Sequence, residues 1–190
     1  MDGHGGASAD NEGFSFELRV PSIASLKKYL RISGPVSAIL LSKVVVFSTV
    51  SMSAANLGPI GSAAHALVFG IFLFFCVPGD ALNQCAQTFL PPCMGHPAEQ
   101  NKLKRRLVLT GACIGVGNFI LTSTIFMLGS GMITPNASVA AAIKQVGLLA
   151  SFTMFIHPLG IATEGILMAS HQFLYLLVTY GGVCASTCGV

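Results

Sequence analysis

Charged side chains are scarce in this sequence. Only 9% of its 190 residues are Asp, Glu, Lys or Arg, whereas 53% are hydrophobic. An ordinary globular domain carries about a quarter charged residues, and a surface in contact with water cannot be covered with so few. The shortage therefore excludes a soluble domain and favours a chain whose outer surface faces lipid.

The sequence also lacks the motifs of several chemistries. It has no phosphate-binding glycine loop with its lysine, which argues against an ATP-driven pump, and no HExxH or similar metal spacing. None of the six cysteines forms a CxxC pair. With no nucleophile–base arrangement, no metal motif and no basic stripe interleaved with aromatics, we expect neither an enzyme, nor a metal or cofactor, nor a nucleic-acid partner.

Long apolar segments account for most of the chain. Four of them exceed the roughly 20 residues that a helix needs to cross a bilayer, and the fifth is marginal. We therefore predict an all-α integral membrane protein with about five transmembrane helices. The segments cover residues 34–57, 62–90, 107–129, 140–169 and 173–189.

The N-terminal stretch before these segments is polar. Residues 1–13 are rich in Gly, Ala and Asp, carry no secretory signal and predict a disordered tail. Residues 14–33 predict a cytoplasmic interfacial segment, in which Ser22 caps a short helix and basic residues lie near lipid headgroups. An ordinary solvated charged face is an equally good interpretation of this segment.

Two basic clusters predict the orientation in the membrane. One covers residues 27–31, before the first span, and the other covers residues 102–106, between the second and third spans. Short loops rich in Lys and Arg stay on the cytoplasmic side. Both clusters fit one topology, with the N-terminus on the cytoplasmic side.

Ionisable residues inside the spans are the first candidates for function, because charges are costly in lipid. Counted from the span ends at about 1.5 Å per residue, Lys43, Asp80 and His157 lie at a similar depth near the midplane. Glu164 lies about a turn and a half nearer the cytoplasm. We expect Lys43 and Asp80 to pair, either as a proton or substrate site that opens during transport or as a permanent pair that only fixes helix register.

Further polar and helix-altering residues accompany these charges. Pro78 and Pro158 predict breaks in the second and fourth spans, since proline frees a main-chain carbonyl. Gly111 and Gly115 form a GxxxG pattern that is either a helix-packing face or a chance occurrence. A polar stripe on the second span should face a protein cavity; its members are Asp80, Asn83, Gln84 and Gln87.

Three stretches of the sequence resemble MATE (multidrug and toxic compound extrusion) transporters, in their plastid-type plant and DinF-like branch. Residues 32–43, ISGPVSAILLSK, resemble the seventh helix of that family. Residues 78–91, PGDALNQCAQTFLP, are similar to its eighth-helix signature and are the most specific part. Residues 158–169, PLGIATEGILMA, resemble the tenth helix. The resemblance covers roughly residues 14–190.

The resemblance implies a cation-coupled secondary antiporter that exports organic molecules, as in multidrug or xenobiotic efflux. Members have twelve helices in two lobes, and this chain matches only helices 7–11 of the C-terminal lobe. The missing N-terminal lobe is therefore an expected partner, besides the bilayer and a small organic substrate. The branch makes a plastid envelope possible. The alternatives are a non-transporting membrane scaffold and a truncated, inactive remnant.

The resemblance also bears on the coupling ion. Motif matching places Lys43 and His157 where some members carry acids that bind cations. Two bases are poor ligands for Na⁺, which prefers oxygen donors. We therefore expect coupling to H⁺ through Asp80, Glu164 or His157, rather than to Na⁺.

Overall fold

The structure is a computed structural model that describes the backbone of residues 22–189 and the side chains of that range other than residues 28 and 32. The disordered tail predicted for residues 1–13 and the first part of the interfacial segment lie outside the described residues. Within 22–189 the regular structure is helical throughout, with no strand. The predicted all-α class is confirmed.

Six α-helices follow one another within residues 22–189. The segments between them are short, and a 3₁₀ turn at Pro91–Gly95 connects α2 to α3. The helices are α1 (Ile23–Ala55), α2 (Gly58–Phe89), α3 (Pro97–Met127), α4 (Ser130–Ile133), α5 (Ala137–Ala169) and α6 (Phe173–Cys188).

Four of the helices are long and apolar enough to cross a membrane. They are α2, α3, α5 and the part of α1 from Ser33 to Ala55, whereas α6 is a shorter apolar helix of 16 residues. Large apolar side chains such as Phe74, Leu149 and Leu174 are about three-quarters exposed on these helices. Such surfaces fit contact with lipid, where outward apolar residues carry no penalty.

Local sequence explains where the helices begin. The hydroxyl of Ser22 accepts a hydrogen bond from the Ser25 amide, as predicted for a helix cap. Gly58 has a φ of 83°, a left-handed conformation that glycine adopts at little cost, and it allows the sharp turn between α1 and α2. The Asn136 side chain accepts from the Ser138 and Val139 amides and caps α5.

Two expected boundaries differ from those observed. No separate short helix precedes the first span, because α1 runs without interruption through Gly34 and Pro35. Proline removes only one main-chain hydrogen bond, and the remaining bonds continue the helix on both sides of it. Helix α3 begins at Pro97, ten residues before the predicted span at 107, because its polar first turns extend the helix beyond the apolar stretch.

Helices α2, α3 and α5 pack closely because glycines let their backbones approach. A Cβ atom added at Gly111 would lie 3.1 Å from the Pro158 carbonyl oxygen, and one at Gly115 would overlap the Phe155 carbonyl oxygen. The GxxxG pattern is therefore a packing face, which decides between the two alternatives. On α2, a Cβ at Gly79 would lie 3.4 Å from Pro158.

Helix α6 packs beside α1, and the two form the other side of the bundle. Ile39 of α1, Met168 of α5 and Leu176 of α6 are buried together in one apolar cluster. This cluster brings α1 and α6 against the C-terminal end of α5, directly below the polar residues described next.

Candidate functional site

A buried carboxylate is the centre of the candidate site. Glu164 of α5 is only 4% exposed, and the ammonium of Lys43 on α1 lies 2.7 and 2.8 Å from its two oxygens. The hydroxyl of Tyr180 on α6 donates a third hydrogen bond to Glu164 at 2.5 Å. Three helices thus meet at one carboxylate, and we call Lys43, Glu164 and Tyr180 the charged cluster.

Every polar atom of the charged cluster is held by a complementary partner. The Lys43 ammonium also lies 5.0 Å from the centre of the Tyr180 ring, where the negative face of the ring attracts a cation. Hydrogen bonds that involve an ionised group are roughly twice as strong as neutral ones. The cluster therefore offsets much of the cost of placing a carboxylate and an ammonium between apolar helices.

The predicted pairing of Lys43 with Asp80 is wrong. Lys43 binds Glu164 instead, and among the described side chains no hydrogen bond or ion pair reaches the Asp80 carboxylate. Helix α1 turns Lys43 towards the boundary between α5 and α6, and its long side chain spans the difference in depth to Glu164. Asp80 is left exposed on α2.

A cavity of about 320 Å³ brings these separated charges to one space. Lys43, Tyr180, His157 and Asp80 all contribute to its wall, although Lys43 and Asp80 do not touch. The rest of the wall is apolar or aromatic. Its other members are Val46, Phe47, Phe72, Leu73, Cys76, Ile161 and Val183.

His157 lies on the cavity wall at the contact between α5 and α2. Its Nε2 atom is 3.4 Å from the Cys76 sulfur, and the Phe72 ring meets it edge-on at 5.3 Å between centroids. Its Nδ1 atom is buried and has no hydrogen-bond partner among the described residues. An unpartnered buried nitrogen is costly, so this imidazole has an unused capacity to donate or accept.

The polar stripe on α2 does not face one cavity, as was predicted, but divides among three surroundings. Asn83 faces α5, where a Cβ at Gly165 would come within 2.9 Å of its atoms, and it accepts a hydrogen bond from Gln87 at 2.7 Å. Asp80 lines the cavity. Gln84 and Gln87 are exposed and do not contribute to the wall of this cavity.

The two prolines predicted to break helices lie within continuous helices. Helix α2 continues through Pro78 and α5 continues through Pro158. Pro158 is fully buried between Gly79 and Gly111, so close packing holds the helix together on both sides. In the turn before Pro78, the buried Asn118 side chain of α3 donates to the Phe75 carbonyl at 3.1 Å.

Tyr180, the third member of the charged cluster, was not predicted from the sequence. A tyrosine hydroxyl within an apolar helix needs a hydrogen-bond partner, and this requirement was the available signal. Cys76, whose sulfur lies beside His157, was not predicted to belong to the site either. Within residues 22–189, no group of three or more His, Cys, Asp or Glu side chains is arranged to hold a metal ion.

A plant protein is similar to nearly the whole chain. Protein DETOXIFICATION 47, chloroplastic, of Arabidopsis thaliana is 25% identical over 177 residues, which are 89% of this chain and 32% of that protein. The chain thus spans about a third of the length of this relative. The match supports the MATE resemblance. No protein-family model and no solved structure matches the chain.

The stretches that carry the MATE resemblance surround the site. The segment 32–43 ends at Lys43, the segment 78–91 contains Asp80, and the segment 158–169 contains Glu164. Lys43 and Asp80 line the cavity, and Glu164 binds Lys43. The three segments in which the resemblance was recognised therefore also supply the charges of the site.

Proposed function

We propose that this chain is the second lobe of a MATE-type secondary antiporter that exchanges protons for organic molecules. The single observation that carries the proposal is a carboxylate, Asp80, that has no partner among the described side chains and lies on a largely apolar cavity whose wall also includes Lys43, the partner of Glu164. Ionisable groups at this depth in a membrane protein are costly and typically mark an ion or substrate pathway.

The chemistry of the cavity favours a proton over Na⁺ as the coupling ion. Hard metal cations are bound by several oxygen ligands at once. Here Glu164 is occupied by Lys43 and Tyr180, so Asp80 is the one carboxylate on the wall that has no partner among the described side chains. A single carboxylate beside an imidazole and an ammonium is a poor Na⁺ site, whereas it can take up and release a proton.

The aromatic wall supports an organic substrate. Phe47, Phe72 and Tyr180 border the cavity, and Phe72 also packs against His157. Small-molecule sites are usually apolar and aromatic cavities of about 300 Å³ or more with a few polar groups. The cavity has this composition and this size.

The proposal includes a first lobe as partner. Gln84 and Gln87 are exposed on a helix that otherwise fits a bilayer, and polar side chains at such positions normally face protein or a water-filled space. A second bundle of helices facing α2 would cover them and close the cavity. Orientation with the N-terminus in the cytoplasm, and a plastid envelope as the membrane, belong to the same proposal.

Transport assays test the proposed function. The full chain is reconstituted into liposomes, alone and together with the first six helices of the Arabidopsis relative, and efflux of a fluorescent organic cation is followed. We expect efflux driven by a pH gradient only when both lobes are present. Efflux driven by a Na⁺ gradient and indifferent to pH, or no efflux with both lobes, would refute the proposal.

A membrane scaffold is the second candidate function. The three hydrogen bonds that Glu164 accepts favour this function, because a carboxylate with three close donors can hold three helices together permanently. Binding of tetraphenylphosphonium to the purified chain separates the candidates. The antiporter predicts binding that is lost in Asp80→Asn and kept in Lys144→Ala, a change at an exposed lysine of α5, whereas the scaffold predicts no binding.

A further inference from the structure

Three cations are exposed on one side of α3, just before its apolar stretch. Lys102, Arg105 and Arg106 are all exposed, and their spacing of three and four residues places them on one face of the helix. None of the three forms an ion pair with another described side chain, although Glu99 lies only three residues before Lys102. We call Lys102, Arg105 and Arg106 the basic face.

The basic face continues along α3 into an apolar stripe that fits lipid. The opposite side of this helix carries Gly111 and Gly115, which pack against α5. Steps of three and four residues lead from Arg106 to the members of the stripe, which are Leu109, Cys113, Val116 and Ile120. All four are exposed. One side of α3 thus presents cations at its beginning and apolar side chains along the rest of its length.

The cations lie at the level of the lipid headgroups. At about 1.5 Å per residue, the distance along the helix from Lys102 to Leu107, where the apolar stretch begins, is about 7.5 Å. The headgroup layer on each side of a bilayer is about 5–7 Å thick. A phospholipid beside α3 would therefore have its phosphate next to the basic face and an acyl chain next to the apolar stripe.

We propose that this side of α3 binds an anionic phospholipid. Arg105 and Arg106 carry planar guanidinium groups that donate paired hydrogen bonds to phosphate oxygens, and Lys102 adds a compact positive charge. A zwitterionic phospholipid has the same phosphate, but its quaternary ammonium would be repelled by three cations. The face therefore selects lipids with a net negative charge. The inference does not depend on the proposed transport.

A lipid fits this side of α3 better than a soluble anion does. A phosphate ion in water would contact only exposed cations, and salt weakens such contacts. A lipid gains the apolar contact with Leu109, Val116 and Ile120 as well, and the bilayer already holds its headgroup at the right level. Near a membrane, each Lys or Arg of a basic cluster strengthens the attraction of anionic lipid by a factor of about five.

Lys104 provides a matched control within the same basic cluster. It precedes Arg105 in the sequence, but it lies three residues before Leu107 and seven before Gly111, both of which are buried. That side of α3 packs against α2 and α5. Lys104 therefore has the charge and the depth of the basic face without its position beside the apolar stripe.

Native mass spectrometry of the purified full chain in detergent measures the binding. The probes are phosphatidylglycerol and phosphatidylcholine with identical acyl chains at equal concentrations. We expect the wild type to bind several-fold more phosphatidylglycerol. The triple variant Lys102→Gln/Arg105→Gln/Arg106→Gln should lower this binding at least about tenfold and leave binding of phosphatidylcholine unchanged. Lys104→Gln should change either value by less than about twofold.

Three results of this measurement would overturn the lipid site. The first is equal binding of the two lipids by the wild type, a comparison that needs no variant to fold. The second is an equal loss in the triple variant and in Lys104→Gln, which would mean that only total charge matters. The third is displacement of phosphatidylglycerol by an equal concentration of inorganic phosphate, which would mean that the face binds the anion rather than the lipid.

Photo-crosslinking in nanodiscs tests where the acyl chain lies. A phosphatidylglycerol with a photoreactive group on its acyl chain should label residues 107–120 of the wild type, and the triple variant should lose most of this label. Equal labelling of the segment by the matching phosphatidylcholine probe would contradict the site. Neither measurement requires transport, so a chain that binds the lipid without proton-driven efflux would refute the antiporter alone.

Discussion

Helix α5 makes two contrasting kinds of contact in this bundle. Towards α2 and α3 it meets glycine, and the backbones approach until a single added Cβ at Gly111 or Gly115 would crowd a carbonyl oxygen. Towards α1 and α6 it presents Glu164, and the contact there consists of charged hydrogen bonds beside an open cavity.

The difference reflects the two ways in which helices associate in lipid. Apolar surfaces gain little by meeting each other there, so small residues and polar groups hold helices together. A glycine contact has one geometry, because its distances are set by backbones. A hydrogen-bonded ion pair beside a cavity can adopt several geometries, because its side chains have room to form hydrogen bonds with other partners. We therefore expect the glycine contact to keep one arrangement and the charged contact to be able to rearrange.

Lys43→Met should have the largest effect, because it leaves Glu164 buried without its cation. Removing one member of a buried ion pair costs about 3–5 kcal/mol. We expect this loss in denaturation of the detergent-solubilised chain. The double variant Lys43→Met/Glu164→Gln should regain most of the stability. A single variant as stable as the wild type would show that the pair contributes nothing.

Tyr180→Phe should have the next largest effect, because it removes one donor from Glu164 and keeps the aromatic ring. Hydrogen bonds to charged groups contribute about 1.5–3 kcal/mol. The same denaturation measurement checks it, with Tyr175→Phe as control, since Tyr175 lies on the same helix and is 64% exposed. Equal losses in the two variants would contradict the contact with Glu164.

Gly115→Leu tests the glycine contact. The new side chain would force α3 away from the Phe155 carbonyl, and overpacking typically costs about 1–3 kcal/mol. Gly117→Leu is the control, because a Cβ there meets nothing within 4 Å. A thermal melt should separate the two variants, and similar melting temperatures would show that α3 and α5 are not tightly packed.

Asp80→Asn should have the smallest effect on stability. No described side chain pairs with Asp80, so its replacement should change the free energy of unfolding by less than about 0.5 kcal/mol. The same variant is expected to lose binding of tetraphenylphosphonium. A large loss of stability would instead indicate that Asp80 holds a helix in place.

Much of the fold could be predicted from the sequence. Apolar runs and turn residues located α2 and α5 to within four residues at each end, because hydropathy and proline act locally. The glycine pair on α3 indicated its packing face. Counting residues along the spans predicted one level for Lys43, Asp80 and His157, and all three line the same cavity.

The pairing of the charges could not be predicted in the same way. The depth of a residue along a helix does not indicate how that helix is rotated or which helices are its neighbours. Both depend on packing across the whole bundle. Lys43 was therefore assigned to Asp80, although α1 directs it to Glu164. Tyr180 escaped notice for the same reason, because its importance depends on the rotation of α6.

The first turns of α3, which precede its apolar stretch, make it possible to determine the orientation of the bundle in the membrane. About ten residues of this helix, from Pro97 onwards, precede the apolar stretch, and at about 1.5 Å per residue they extend some 15 Å. Lys102, Arg105 and Arg106 are exposed there. Trypsin added to sealed vesicles would cut at these bonds only from the compartment that the extension enters, so one digestion reports which way the bundle was inserted.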